Sequence, residues 1–295
     1  MTLEQLRISI INSSIMRKAV FEMVPEGASR ILDVGCGRGG LLLRLQRDKA
    51  CTELYGVDMD QDAIARLRHF VDYAGVADIE KEEILPARYK GFFNLVIMHD
   101  FVEHLFDPWQ TLARIRDYLA EGGLAIISTP NLLHWRLQYE IMSGRFPYGH
   151  GIWHPGHLRW YTPASLLTVL AIGGYEVRQY CLELGADATR EVIQAKRGLT
   201  TIQFPPTEVQ RKYPDMPPFT IQYPKDIRPS YAAFFATKLI AVCARGALPC
   251  EPQPMTYNVD LIHQLTEAVA NPYDLFNPPP MTLLKPGSFP REDEG

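Results

Sequence analysis

Apolar residues along this chain follow two alternating rhythms. Short apolar runs bounded by glycine, proline or a charged residue read as strands, and stretches with apolar residues three and four apart read as helices. Leu3, Leu6 and Ile10 share one helical face over residues 2–24, Met16 and Val20 continue it, and Pro25 and Gly27 end it. Strands follow at Arg30–Val34 and Glu53–Val57, separated by a helix carrying Leu41, Leu42, Leu43 and Leu45. Asp60 caps a helix expected over Asp60–Tyr73, and a third strand is expected to end at Ala77-Asp78-Ile79-Glu80. Phe92–Met98 is the fourth strand. Asp107-Pro108 opens a helix whose buried stripe is Trp109, Leu112, Ile115 and Leu119, and Gly122-Gly123 stop it before the strand Leu124–Ser128. Thr162-Pro163 starts a helix that Gly173-Gly174 ends, and Tyr175–Leu184 and Phe234–Arg245 are the last strands. Such alternation predicts an α/β fold, a doubly wound parallel sheet with right-handed crossovers. Ligands of these sheets sit at the carboxyl ends of the strands, where Gly35, Asp58, Asp78, His99 and Thr129 all fall.

Two stretches interrupt the rhythm. Residues 132–161 hold Trp135, Tyr139, Phe146, Tyr148, Trp153, Trp160 and Tyr161 together with His134, His150, His154 and His157. Residues 185–233 are proline-rich and too long for a plain hairpin. The first is expected to be a lid on the substrate side, and the second is either another such cover or an oligomer contact. The domain reading is therefore a helical cap over 1–27, a main domain over 28–246, and a proline-rich extension over 247–295 with one helix at Val259–Ala270. The extension is also a candidate contact for a homo-oligomer. Arg17 of the cap is a candidate ligand contact, although packing on the sheet edge is the favoured reading of that helix.

Composition narrows the class. The chain has 295 residues, 46% hydrophobic and 22% charged, which suits one elaborated globular unit. A net charge of −4 with no dense Lys/Arg stripe argues against a nucleic-acid partner. Five scattered cysteines without C-x-x-C spacing fit a reduced, cytoplasmic protein. No apolar run approaches the length of a membrane span.

The candidate chemistry begins at Ile31-Leu32-Asp33-Val34-Gly35-Cys36-Gly37-Arg38-Gly39-Gly40, a strand, a glycine turn and a helix start. Glycines let backbone approach a ligand, and a helix start offers free N–H groups. Gly35, Gly37 and Gly40, with Asp58 further on, also satisfy the dinucleotide pattern. Asp33 discriminates. Its carboxylate repels a pyrophosphate but suits S-adenosylmethionine (SAM), which carries a sulfonium and an ammonium and no phosphate. Asp58, at the end of the second strand, can accept both ribose hydroxyls, and Met59 can pack on adenine.

The D-V-G-C-G-x-G stretch resembles motif I of the class I SAM-dependent methyltransferases. F-N-L-V-I-M-H-D-F-V-E-H-L and H-L-R-W-Y-T-P-A-S-L are similar to the branch with ubiquinone-type and sugar-type O-methyltransferases. The resemblance implies a Rossmann-like sheet of seven strands, the last antiparallel, and SAM contacts at Asp33, Gly35, Cys36, Gly37, Gly39, Asp58 and Met59. It further implies that Asp78 and Ile79 meet the adenine and that His99 lines the methyl region, with a direct catalytic part for His99 also open. It implies a small-molecule acceptor, methylated most readily at a hydroxyl. A hydroxyl needs a base, and histidine serves at neutral pH. His157 matches the family's H-L-R-x-Y/F-T-P position, and His154 lies beside it, so both are candidates. Asp100, Glu103 and His104, spaced for one helix face, are candidate ligands for a divalent metal, although the same pattern is structural in metal-free relatives. Methylation at nitrogen, a catalytically silent scaffold and a NAD-dependent dehydrogenase remain open alternatives.

Overall fold

A computed structural model describes residues 2–13, 18–142, 145–146, 148–149, 151–184, 201–204, 219–222, 233, 236–248 and 281–284. The expected contacts of Arg17 and His150, the helix at Val259–Ala270 and most of 185–233 and 247–295 lie outside these residues.

The strands in chain order are β1 (Ser29–Val34), β2 (Thr52–Asp58), β3 (Tyr73–Val76), β4 (Phe93–His99), β5 (Leu119–Pro130), β6 (Tyr175–Leu184), β7 (Thr201–Phe204), β8 (Phe219–Gln222), β9 (Ala236–Arg245) and β10 (Met281–Leu284). The main sheet runs β10-β6-β9-β5-β4-β1-β2-β3. Strands β3, β2, β1, β4 and β5 are parallel to their neighbours, and β9 inserts antiparallel between β5 and β6. These seven strands form the sheet the sequence implies, and β10 adds an eighth, parallel to the outer edge of β6. β7 and β8 form a separate antiparallel pair within the second insertion.

The helices are α1 (Leu3–Ser13), α2 (Lys18–Met23), α3 (Gly40–Lys49), α4 (Gln61–Leu67), α5 (Pro108–Arg116), α6 (Trp135–Met142) and α7 (Pro163–Ile172). Their caps follow the sequence. Asp60 accepts from Ala63 N–H, Asp107 accepts from Gln110 N–H, and Thr162 with Ser165 makes a capping box at α7. One face of the sheet packs under α1–α4, with Leu41–Leu43, Ile64 and Leu67 at its centre, and the other under α5 and α7, with Leu112, Ile115, Leu166 and Leu170.

Two boundaries differ from the sequence reading. Helices α1 and α2 fall within the helix expected over 2–24, and residues 14–17 between them lie outside the described residues. α4 stops at Leu67, and the third strand is Tyr73–Val76, not a run ending at Ile79. Asp72 sets that turn by accepting from Leu54 N–H at 2.8 Å, and Tyr73 stacks on Tyr55 across the strands. Finally, Leu119 opens β5 opposite Phe93 instead of closing α5, and Gly122-Gly123 lie inside the strand.

The strand order reverses between β1 and β4, and the loops after β1, β2 and β4 open a crevice there. Gly39 shapes its first wall. It sits at φ +78°, and a Cβ there would lie 2.3 Å from Leu67 Cδ1. Gly39→Ala is therefore expected to destabilise the fold by roughly 2–4 kcal/mol in urea unfolding, from strain and overpacking together.

Candidate functional site

The turn after β1 spends its donors internally. Gly35 and Cys36 N–H both donate to Val57 C=O, at 2.9 and 3.1 Å, and Gly39 N–H donates to Cys36 C=O at 2.9 Å. Gly37 N–H donates to Asp58 Oδ2 at 2.7 Å, while Asp60 N–H donates to Asp58 Oδ1 at 2.9 Å. Gly35, Cys36, Gly37 and Gly39 N–H are thus spent within the turn, on β2 and on Asp58, whereas the start of α3 has no side-chain cap. Asp33 lies beneath the turn with none of its surface exposed.

A pocket of about 380 Å³ opens over the turn, lined by Gly35, Asp58, Met59, Asp78, Ile79 and Phe101, with Asp100 and His104 at one end. Met59 is 73% exposed, an apolar side chain held at the pocket mouth. Three candidate contacts have other partners as well. The Cys36 side chain is packed among Leu42, Leu67 and Gly56 in the core. The Asp78 carboxylate lines the pocket but is held below its ordinary pKa, first by Lys81 and then by Glu80 N–H, so it also orders its own turn. His99 is buried between Asp100 and Lys238, and Lys238 approaches its Nε2 at 3.5 Å. An ammonium there faces the lone pair that a base would need.

A second pocket of about 360 Å³ adjoins the first, and Asp100 lines both. Glu103, His157, His134, Leu137, Ile152 and Lys238 are among its walls. Asp100 takes a left-handed backbone, φ +48°, secured by its N–H to Ser128 C=O at 3.0 Å and by an ion pair with Lys238. Asp100, Glu103 and His104 do not share a helix face as expected, because the chain after β4 makes a 3-10 turn at Val102–His104. Asp100 turns to Lys238, whereas Glu103 and His104 meet His157, and one oxygen or nitrogen from each lies within 4.8 Å of the other two.

The first insertion delivers His157 to that turn. Leu158 and Arg159 N–H both donate to Glu103 C=O, at 2.8 and 3.0 Å, and His104 Nδ1 pairs with Gly156 C=O at 2.9 Å. His157 Nδ1 pairs with Ile152 C=O at 2.9 Å. A carbonyl only accepts, so Nδ1 carries the hydrogen and Nε2 keeps the lone pair. Burial lowers the His157 pKa, which holds the ring neutral. His154 has the opposite tautomer, because its Nδ1 accepts from Gly156 N–H at 3.0 Å. The aromatics pack on each other: Phe146 meets Trp153 at 4.3 Å and Trp160 at 5.2 Å, a small core within the lid.

The profile of the family described as "Methyltransferase domain" matches residues 12–180, more than half of the chain. The chain belongs to the class I SAM-dependent methyltransferases. Its cofactor is SAM. An uncharacterised methyltransferase of Mycobacterium bovis is 28% identical over 52% of this chain and 81% of its own. A ubiquinone biosynthesis O-methyltransferase of Neisseria meningitidis is 27% identical over 50% of this chain and 64% of its own. Among solved structures, a SAM-dependent methyltransferase of Archaeoglobus fulgidus aligns over 82% of this chain and 94% of its own, with 19% identity and a TM-score of 0.46.

Two residues in the walls of the second pocket carry more than the sequence reading gave them. Lys238 was one polar residue in an apolar strand. Because β9 is antiparallel, its first residues lie beside Pro130, at the ligand edge of the sheet. Glu103 was read as a metal ligand or a structural residue. It is 1% exposed, and burial first, then the Asp100 charge, raises its carboxyl pKa to about 8. The folded protein thus holds this proton more tightly than the unfolded chain, whose carboxyl has the ordinary value of 4.5. Its stabilising contribution is complete below pH 4.5 and is lost as pH rises through about 8. Glu103→Gln removes that loss, so melting curves at about pH 6 and pH 9 should show the variant losing less stability than the parent, by on the order of a few kcal/mol.

Proposed function

We propose that this methyltransferase moves the methyl group of SAM onto a hydroxyl of a small molecule, of natural-product, sugar or quinone-like type. The observation that carries the reading is the pair of adjoining pockets with Asp100 in both walls. One pocket has the residues for a cationic nucleoside, and the other has a neutral histidine with its lone pair free.

The residues of the first pocket fit SAM. Space over Gly37 is open, since a Cβ there would meet nothing within 4 Å. Asp58 stands ready to accept ribose hydroxyls, Met59 offers an apolar face to adenine, and Asp33 supplies negative charge under the turn. Gly35, Gly39 and Cys36 set the backbone path, Asp78 and Ile79 close the adenine side, and His99 backs the inner end. When bound, SAM supplies a methyl on a positively charged sulfur. The protein aligns the acceptor oxygen with that methyl. His157 Nε2 takes the hydroxyl proton as the oxygen–carbon bond forms and the carbon–sulfur pair returns to sulfur. His154, with its Nδ1 occupied, fixes the lid turn.

The stretch 132–161 acts as a cover over the second pocket, with His134, Leu137, Ile152 and His157 in its wall. Among the described residues, no helix is long and apolar enough to cross a membrane. Among the described residues, Cys51, Cys181 and Cys243 are buried thiols outside any disulfide, which supports a reducing, cytoplasmic setting. The homo-oligomer reading of the extension falls largely outside the described residues.

The test uses SAM with a deuterated methyl and a panel of alcohols, phenols and amines, read by mass spectrometry and NMR of the products. Label on oxygen supports the reading. Label on nitrogen alone, or SAM binding with no transfer to any acceptor class, contradicts it.

A further inference from the structure

We propose that Glu80 and Arg114 are positioning residues for the cofactor: together they latch the turn 78–82, the adenine side of the first pocket, to the start of α5. The proposal rests on the placing of SAM over the glycine turn and adds to it two residues that act through the pocket wall.

The turn is a unit by itself. Lys81 and Glu82 N–H both donate to Asp78 C=O, at 3.0 Å each. Glu80 N–H donates to Asp78 Oδ1 at 3.2 Å, and Asp78 N–H donates to Glu82 Oε1 at 2.8 Å. These bonds fix the shape of the turn but not where it stands. One end is tied to the sheet, where Ala77 N–H donates to Asp58 C=O at 3.1 Å. The other end is held by α5.

Both carboxylate oxygens of Glu80 are spent there. Oε2 accepts from Phe106 N–H at 3.0 Å and Oε1 from Asp107 N–H at 2.7 Å, across 26 and 27 residues. Asp107 is the N-cap of α5. In a capping box the N-cap N–H is served from within its own helix, whereas Glu80 serves it from another loop. A helix start also favours a carboxylate. The helix answers in kind. Arg114 Nη2 donates to Ile79 C=O at 2.9 Å and to Glu80 C=O at 3.0 Å. A side chain of the turn thus grips the backbone of the helix start, and a side chain of the helix grips the backbone of the turn. With both oxygens engaged, Glu80 acts on the ligand through Asp78 and Ile79.

The latch closes on an anchored segment. Arg159 Nη2 donates to Phe106 C=O at 2.6 Å, and its guanidinium lies 5.4 Å from the centre of the Trp109 ring on the first turn of α5. Phe106 is therefore held at its N–H from the adenine side and at its carbonyl from the lid. Ile79 and Leu105 both line the first pocket. The latch sets the separation of the two segments that carry them, and so the room and the polar groups that a base meets.

The experiment measures binding of S-adenosylhomocysteine and S-inosylhomocysteine to the full chain by calorimetry. The two differ only at the base, where the exocyclic amine becomes a carbonyl and N1 gains a hydrogen. The parent is expected to prefer the adenosyl ligand by about tenfold or more, the scale of one mispaired polar group, and Glu80→Ala to cut that preference to about twofold. Glu80→Gln keeps one acceptor oxygen and should fall between them. Arg114→Gln should lower the preference as Glu80→Ala does, and it leaves the Glu80 carboxylate on α5, so it carries the test where Glu80→Ala does not fold. A general loosening of the fold, or a charge contact of Glu80 with the amino-acid end of the ligand, would weaken both ligands by one factor and keep their ratio. An unchanged ratio in the latch variants overturns the proposal, as does a parent that binds the two ligands equally. Asp58→Ala separates the levels. Parent-like affinity for S-adenosylhomocysteine in that variant would refute the placing of SAM, and the latch with it. Weakened affinity there, with an unchanged ratio in the latch variants, would refute the latch alone.

Discussion

Replacing His157 with alanine is expected to lower kcat by about 10²–10⁴-fold and to leave SAM affinity unchanged. The split follows from position. His157 lines the acceptor pocket and is absent from the walls of the pocket over the glycine turn. Its tautomer is fixed by the Ile152 carbonyl, and burial keeps the ring neutral, so a lone pair faces the acceptor near neutral pH. The imidazole is only 9% exposed, which shields that lone pair from bulk water. His154→Ala is the comparison. Its Nδ1 serves the Gly156 N–H, so its loss loosens a turn and should cost far less than the loss of His157. Steady-state kinetics with calorimetry on the same preparations checks both, and equal losses in the two variants would contradict the assignment.

Replacing Asp58 with alanine is expected to weaken SAM binding by about 10²-fold or more, the scale of two charge-assisted hydrogen bonds. Asp58 does two jobs. Its oxygens clamp the glycine turn through Gly37 N–H and the start of α4 through Asp60 N–H. Its carboxylate also faces the pocket where ribose hydroxyls would lie. Alanine removes the clamp and the acceptor together. Asp58→Asn keeps one acceptor oxygen and should fall between the two. Calorimetry with SAM reads the series, and a melting temperature close to that of the parent shows that the fold survives.

The sheet was legible because its strands are buried on both faces and read as apolar runs between glycines and charges. Caps at Asp60, Asp107 and Thr162 were legible for a local reason, since a cap bonds its own next turn. β3 was harder. Tyr73-Ala74-Gly75-Val76 is four residues long and looks like the tail of α4, and its strand character comes from pairing with β2. The turn after β1 was recognised, but the inward bonds of Gly35, Cys36 and Gly37 N–H were not. Their commitment to Val57 and Asp58 is a contact between two strand ends that spacing cannot show. The meeting of Glu103, His104 and His157 is more distant still. It depends on Leu158 and Arg159 hydrogen-bonding to Glu103 C=O across more than fifty residues. Sequence put Glu103 beside His104 and marked His157 separately, and the folded lid brings His157 to them.

The crystal structure of the full chain with S-adenosylhomocysteine tests the account most directly. The predicted result has the ribose hydroxyls on Asp58, the adenine against Met59, and the sulfur directed past Asp100 toward Glu103 and His157. Electron density with the sulfur turned away from that junction, or with the nucleoside clear of Asp58, would contradict it.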